Sequence, residues 1–254
     1  MLPWLSAYLA MRRELVDEMV SLGRTALPKE ACGFVVSPVG ESERVVLCEN
    51  ASDEPEQYFL IRPRDFANAE DAGAIVAVWH SHAGSAQPSE GDRAQCERHH
   101  IPYVIVSAEH GNYTEIEPIG WESPLEGRQW VPGVQDCADL VRDYYWRKLN
   151  IALPNPHRDD HWWMHGQDLI AKLYAEIGFV WVPKEALRAN DVLVFQREYE
   201  IPHHVAVYLG DSLMLHHPYE QLSRQSNYDD HWKRSTFAVL RHRALLRPED
   251  AYRE

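Results

Sequence analysis

The sequence predicts two domains of different class: an α/β domain built on a mixed sheet over residues 1–122, and an α+β domain over residues 123–254. Three observations support this. Helix-period and strand-period segments alternate through the first half, whereas two helical segments precede a set of strands in the second. The two halves are separated by PIGWESPLEGRQWVPG (118–133), where glycine and proline recur as in a linker. The charge is also uneven: residues 1–125 hold 9 Lys+Arg against 20 Asp+Glu, and residues 126–254 hold 16 against 19.

In chain order, residues 5–24 place Leu, Met and Val at helical spacing and close near Gly23, predicting a helix. ACGFVVSP (31–38) and ERVVLCEN (43–50) read as strands around a Pro-Val-Gly turn. Within RPRDFANAEDA a helix is predicted over 63–72, and AGAIVAVWHSH reads as a buried strand ending at His82. SEGDRAQCERHH is a short helix closing on His99 and His100, imidazoles suited to its negative end, and IPYVIVSAE is a further strand. Beyond the linker, helices are expected over DCADLVRDYYWRKLN (136–150) and QDLIAKLYAEIGF (167–179). DVLVFQ and HHVAVYLGDSLMLHH follow as strands, with a Gly-Asp turn inside the latter. HRDDHWWMHGQD (157–168) reads as a loop whose two tryptophans pack on the domain, with groove lining or a second metal as alternatives.

At 45% hydrophobic residues the chain has material for packed cores. A net charge of −14 argues against a nucleic-acid or anionic-membrane surface. No apolar run approaches the roughly 18 residues of a membrane helix, and MLPWLSAYLAMRRELVDEM is a poor signal peptide. The four cysteines form no CxxC pair, so synthesis in a reducing cytoplasm is expected, with Cys32, Cys48 and Cys96 in or near the core.

Residues two apart on a strand share a face, so His80 and His82 of VWHSHAGSAQPSEGD point the same way and Ser81 the other. Two such imidazoles suit zinc, and a short loop could return Asp92 as a third ligand, leaving one position open as in catalytic zinc sites. Glu30, entering the first strand, is a candidate base for a metal-bound water. Alternatively, Ser89-x-x-Asp92 is a helix capping box and nothing more. PKEACGFVV followed by HSHAGSAQPSEGD resembles the JAMM (MPN-type) metallopeptidases, an upstream Glu followed by H-S/T-H-P and S-x-x-D, over roughly residues 8–120. The resemblance implies zinc bound by His80, His82 and Asp92, Glu30 as general base and Ser89 supporting the oxyanion. Ala83 stands where the family has proline, and the loop to Ser89 is one residue shorter.

In QDCADLVRDYY, Asp136 caps a helix start, and the dipole there is expected to lower the pKa of Cys137 from about 8.5, favouring a nucleophilic thiolate. A thiol nucleophile needs a histidine, for which His204 is the candidate. The Gly210-Asp211 turn could bring His216 beside it as the third member of a triad. His203 and His217 read as satisfied or exposed neighbours. DCADLV, NDVLVF and HVAVYLGDSLMLHH resemble the NlpC-type cell-wall cysteine peptidases, a compact papain-like family, over roughly 128–240. Asn190 replaces the usual glycine, tolerable because Asn accepts left-handed angles, and Ala138-Asp139 replace Ser-Gly.

The order JAMM then NlpC-type domain, with WVPGVQDCADLVRDYYWRKLNI at the junction, resembles the K family of tail assembly proteins of lambda-like phages. That resemblance implies a peptidase made in the host cytoplasm and carried at the virion tail tip. Its partners would be other phage tail-tip proteins, and it would act in the periplasm on peptidoglycan stem peptides, typically between D-glutamate and the diamino acid. The alternatives are a structural tail-tip component whose folds serve docking, and a metal domain that matures another tail protein.

Overall fold

Apolar residues alternate along CGFVVS and YVIVS with both parities filled, so these strands must be covered on two faces. The computed structural model describes residues 11–156, 158, 162–248 and 250, and divides into two units, 1–121 and 122–254. The first unit comprises α1 (Arg13–Ala26), β1 (Cys32–Ser37), β2 (Arg44–Cys48), α2 (Pro63–Ala72), β3 (Ala74–His82), α3 (Glu90–His99), β4 (Tyr103–Ser107) and β5 (Tyr113–Ile116). Its sheet runs β2-β1-β3-β4-β5. β3 and β4 are parallel, linked through α3, and the other neighbours are antiparallel. One sheet face (Val35, Ala77, Trp79, Val104, Val106) packs on Leu15, Val16, Met19 and Val20 of α1. The opposite face (Phe34, Val36, Val78, Tyr103, Ile105) packs with Ala69 of α2 and Cys96 of α3. This is the α/β/α layering that the sequence implies.

The first helix does not close at Gly23. It runs through it to Ala26, and the part predicted over residues 5–10 lies outside the described residues. Gly23 is there for close approach: a Cβ would sit 2.8 Å from Ser81 Cβ on β3.

The second unit comprises α4 (Cys137–Leu149), α5 (Leu169–Ile177), β6 (Phe179–Val182), β7 (Val192–Phe195), β8 (His204–Gly210), β9 (Leu213–His216), β10 (Arg224–Asn227), α6 (Asp230–Ser235) and β11 (Thr236–His242). The sheet order is β10-β9-β8-β7-β11-β6, antiparallel at every pairing. Val192, Val194, Val207, Ala238 and Leu240 pack on Val141 and Tyr145 of α4, while Leu193, Phe195, Ala206, Met214 and Val239 fill the other face. The β8–β9 turn has Asp211 and Ser212 at φ 49° and 57°, the two left-handed residues of a type I′ hairpin. Asn190, at φ 76°, occupies the left-handed conformation expected of it.

Candidate active sites

In the first unit, β3 ends with His80 and His82 on one face, and α3 begins just beyond with the Ser89–Asp92 capping box. Asp92 N donates to Ser89 Oγ (3.0 Å) and Ser89 N to Asp92 Oδ2 (2.7 Å). The cap holds the Asp92 carboxylate against the histidines. His80 Nε2 lies 3.1 Å from Asp92 Oδ1, His82 Nε2 3.5 Å from Oδ2, and the two Nε2 atoms are 3.0 Å apart. The metal-ligand and capping readings therefore describe one arrangement.

His82 Nδ1 lies 2.9 Å from the Ser85 carbonyl, a contact it can only make as a donor, so its Nε2 presents a lone pair to His80 and Asp92. Phe59 stacks on the His80 ring at 4.5 Å. Glu30 Oε1 stands 3.7 Å from His82 Nε2. The Glu30 main chain is held by Asn50, which donates to its carbonyl at 3.0 Å. Next to it, Ala31 N donates to Ser81 Oγ at 2.9 Å. Burial raises the Glu30 carboxyl to about 7, with the His80 charge opposing and that of Asp92 reinforcing. Burial pushes Asp92 up, but the His80 charge and hydrogen bond outweigh it and hold the carboxyl well below its usual range. His80 is raised, because attraction to Asp92 exceeds the cost of burial. Burial and the His80 charge lower His82.

This donor set fits zinc. Arms of 2.0–2.1 Å give a tetrahedron with edges of about 3.3 Å, and the three groups offer ligand atoms all within 4.8 Å of one another. Two imidazole nitrogens and a carboxylate converging at that spacing could hold such a cation.

In the second unit, Asp136 caps α4 by accepting from Ala138 N (2.8 Å) and Asp139 N (3.0 Å), which places Cys137 at the first helical position. The expected thiolate is not what the structure supports. Cys137 is only 8% exposed, and burial together with the Asp136 charge pushes its thiol up to about 12, partly offset by a backbone hydrogen bond from Val205 and by Arg158. The dipole argument treats the helix end as wetted, whereas here it is closed over, so the resting group is a neutral thiol.

His204 and His216 do meet: His204 Nε2 is 3.2 Å from His216 Nδ1, and His216 Nε2 is 2.9 Å from Ser226 Oγ. Phe195 stacks on His204 at 5.7 Å and Trp232 packs edge-on to His216. Burial lowers both histidines, His204 well below 6.5 and His216 to about 4. The sulfur of Cys137 contacts the strand at Val205, one residue past His204. His203, read from sequence as a bystander, borders the same cavity as Cys137.

Three further residues shape this site, of which sequence reading weighed only the tryptophan, as packing or as groove lining. Arg158 bonds Asp136 Oδ2 (3.0 Å) and Asp139 Oδ2 (2.9 Å), neutralising two nearly buried carboxylates beside the thiol. Burial raises Asp136, but the Arg158 charge outweighs it and lowers the group. Trp163 stacks on His203 and, with Trp162, borders the cavity, so the tryptophans of the 157–168 segment both pack and line. The third is Ser226, on a strand too short and polar to read. The sequence signal for Arg158 was only the His/Asp-rich segment around it.

Comparison with known proteins agrees with the two-domain reading. Residues 12–118 match the prokaryotic homologs of the JAB domain, and residues 124–241 match the NlpC/P60 family. The chain thus joins a JAB (MPN) domain, the JAMM-type mixed-sheet fold, to an NlpC/P60 domain of the papain-like α+β kind. It is 34% identical over 239 residues to tail tip assembly protein K of Escherichia phage N15, covering 92% of this chain and 96% of that protein. To tail tip assembly protein K of Escherichia phage lambda it is 38% identical over 183 residues, covering 72% and 89%. The chain belongs to the tail tip assembly protein K family. Its first domain is also similar to the CysO-cysteine peptidase of Mycobacterium tuberculosis, 33% identical over 115 residues, covering 42% of this chain and 79% of that protein.

Proposed function

We propose that this protein is a phage tail-tip peptidase. Its domain over 123–254 would cleave peptidoglycan stem peptides with Cys137, and its domain over 1–122 is a zinc metallopeptidase-like domain. It would be made in the host cytoplasm, join other tail-tip proteins, and act in the periplasm on entry. The observation that carries this reading is the hydrogen-bonded chain His204–His216–Ser226, which starts on the strand whose next residue, Val205, meets the Cys137 sulfur through its backbone.

His216 holds His204 through Nε2, which leaves Nδ1 to take the thiol proton as sulfur attacks the substrate carbonyl. A base held neutral suits a nucleophile that rests as a thiol. The proton then passes from His204 to the leaving amine, and water releases the acyl group from sulfur. In the first domain His80, His82 and Asp92 would hold zinc, which when bound lowers the pKa of its water to about 7. Glu30, 3.7 Å from His82 Nε2, would accept that proton. Ser89 holds Asp92 through the cap, and oxyanion support is assigned to the same residue.

Incubating purified muropeptides with wild type and Cys137→Ala tests the thiol mechanism. Cleavage by wild type alone is expected, and equal cleavage by both would sink it. Metal analysis tests the zinc site: about one equivalent in wild type, lost in His80→Ala. The burial of Cys137 favours a second reading, a tail-tip assembly component whose folds serve docking or the maturation of another tail protein. If phage carrying Cys137→Ala and His80→Ala together stayed fully infectious, that reading would replace the first.

A further inference from the structure

The α5 helix reads LIAKLYAEI, apolar through most of its length, yet none of its residues is buried. Leu169, Ile170, Leu173, Tyr174 and Ile177 recur at the spacing of one helix face. That face borders a cavity of about 140 Å³, and Ile170, Tyr174 and Ile177 are only half-buried against the neighbouring core. Cys137 borders the same cavity. Arg158, which also borders the cavity, already engages the oxygens of Asp136 and Asp139. An apolar helix packed for stability alone would close such a space, because cavities cost stability in proportion to their volume.

We propose that this cavity is a subsite for one bulky apolar side chain, of leucine to phenylalanine size, on a polypeptide substrate held across Cys137. The inference rests on the reading of Cys137 as nucleophile, and it adds a substrate class to the stem peptides. The D-glutamate and diamino-acid side chains of a stem peptide are polar and gain nothing from an aliphatic wall. A leucine or phenylalanine gains its full transfer energy there, since a dry apolar cavity of about 150 Å³ already accepts a benzene ring. A chain cleaving a polypeptide at such a residue would act on a protein, not only on the wall.

Binding measured without catalysis tests this. Full-length Cys137→Ala is titrated with N-acetyl amino-acid amides from glycine through alanine, valine and leucine to phenylalanine, following tryptophan fluorescence, since Trp162 and Trp163 border the cavity. Affinity should rise about fourfold per added methylene up to leucine. Leu173→Trp, which fills the space, should abolish the gradient, and Ile170→Trp does the same should Leu173→Trp fail to fold. A flat series, or a gradient indifferent to both substitutions, overturns the proposal. Muropeptide cleavage with a flat series removes this inference and leaves the proposed function. A graded series without muropeptide cleavage by wild type does the reverse.

Discussion

In the proposed mechanism His204 serves as a base only while its ring is held, and the hold passes through His216 to the Ser226 hydroxyl 2.9 Å away. Ser226→Ala removes one hydrogen bond worth about 1 kcal/mol. We expect kcat on muropeptides to fall about fivefold with KM unchanged, because the ring is mis-set while the substrate wall is intact. Arg158 acts differently. Its removal strips the nearly buried Asp136 of its cation, while Asp139 keeps its ion pair with Arg142, so Arg158→Ala should destabilise the fold by roughly 3 kcal/mol in urea unfolding. An unchanged midpoint would show that water reaches these carboxylates.

Secondary-structure elements deliver the proposed metal ligands. α3 does so through its first residue pair: the cap that starts the helix also aims Asp92 at His80. Ser89→Ala should cost about 1 kcal/mol of stability, the usual value of a lost cap. It should also weaken zinc binding by about 10–100-fold, as outer-shell substitutions do, read by competition with a chelating dye. Lost stability with unchanged zinc affinity would separate capping from ligand placement. On the other face of β3, α1 lies so close that Gly23→Ala must push on Ser81 between the two histidines. A thermal melt should register about 1–3 kcal/mol of overpacking.

On the scale of the molecule, acid should be the weak side of its stability. Burial lowers His216 and His217 to about 4, against about 6.5 in an unfolded chain. As the pH falls from about 6.5 toward 4, the unfolded state takes up protons that the folded state refuses, and stability declines. Asp92 and Asp136 are depressed, so their contribution persists above the unfolded carboxylate range near 3.9 and is lost only below it. His217→Phe, which keeps an aromatic ring against Trp130, should flatten the slope between pH 6.5 and 4 in denaturant titrations. An unaltered slope would assign the acid sensitivity elsewhere.

Local pattern determined a large share of this protein. The i, i+2 placement of His80 and His82, the Ser89–Asp92 box, the capped start at Cys137 and the hairpin bringing His216 to His204, whose turn is Asp211-Ser212 rather than the expected Gly210-Asp211, follow from strand and helix periodicity, which act over a few residues. Predicted and observed bounds of α2 coincide at 63–72 for the same reason. Only the tertiary structure decided the state of the thiol, since burial and the Asp136 charge overrule the helix dipole. It alone brought Arg158 onto a carboxylate pair 19 and 22 residues away and placed His203 on the cavity. Those outcomes depend on desolvation and on contacts closed by the fold, and no short stretch of sequence carries either.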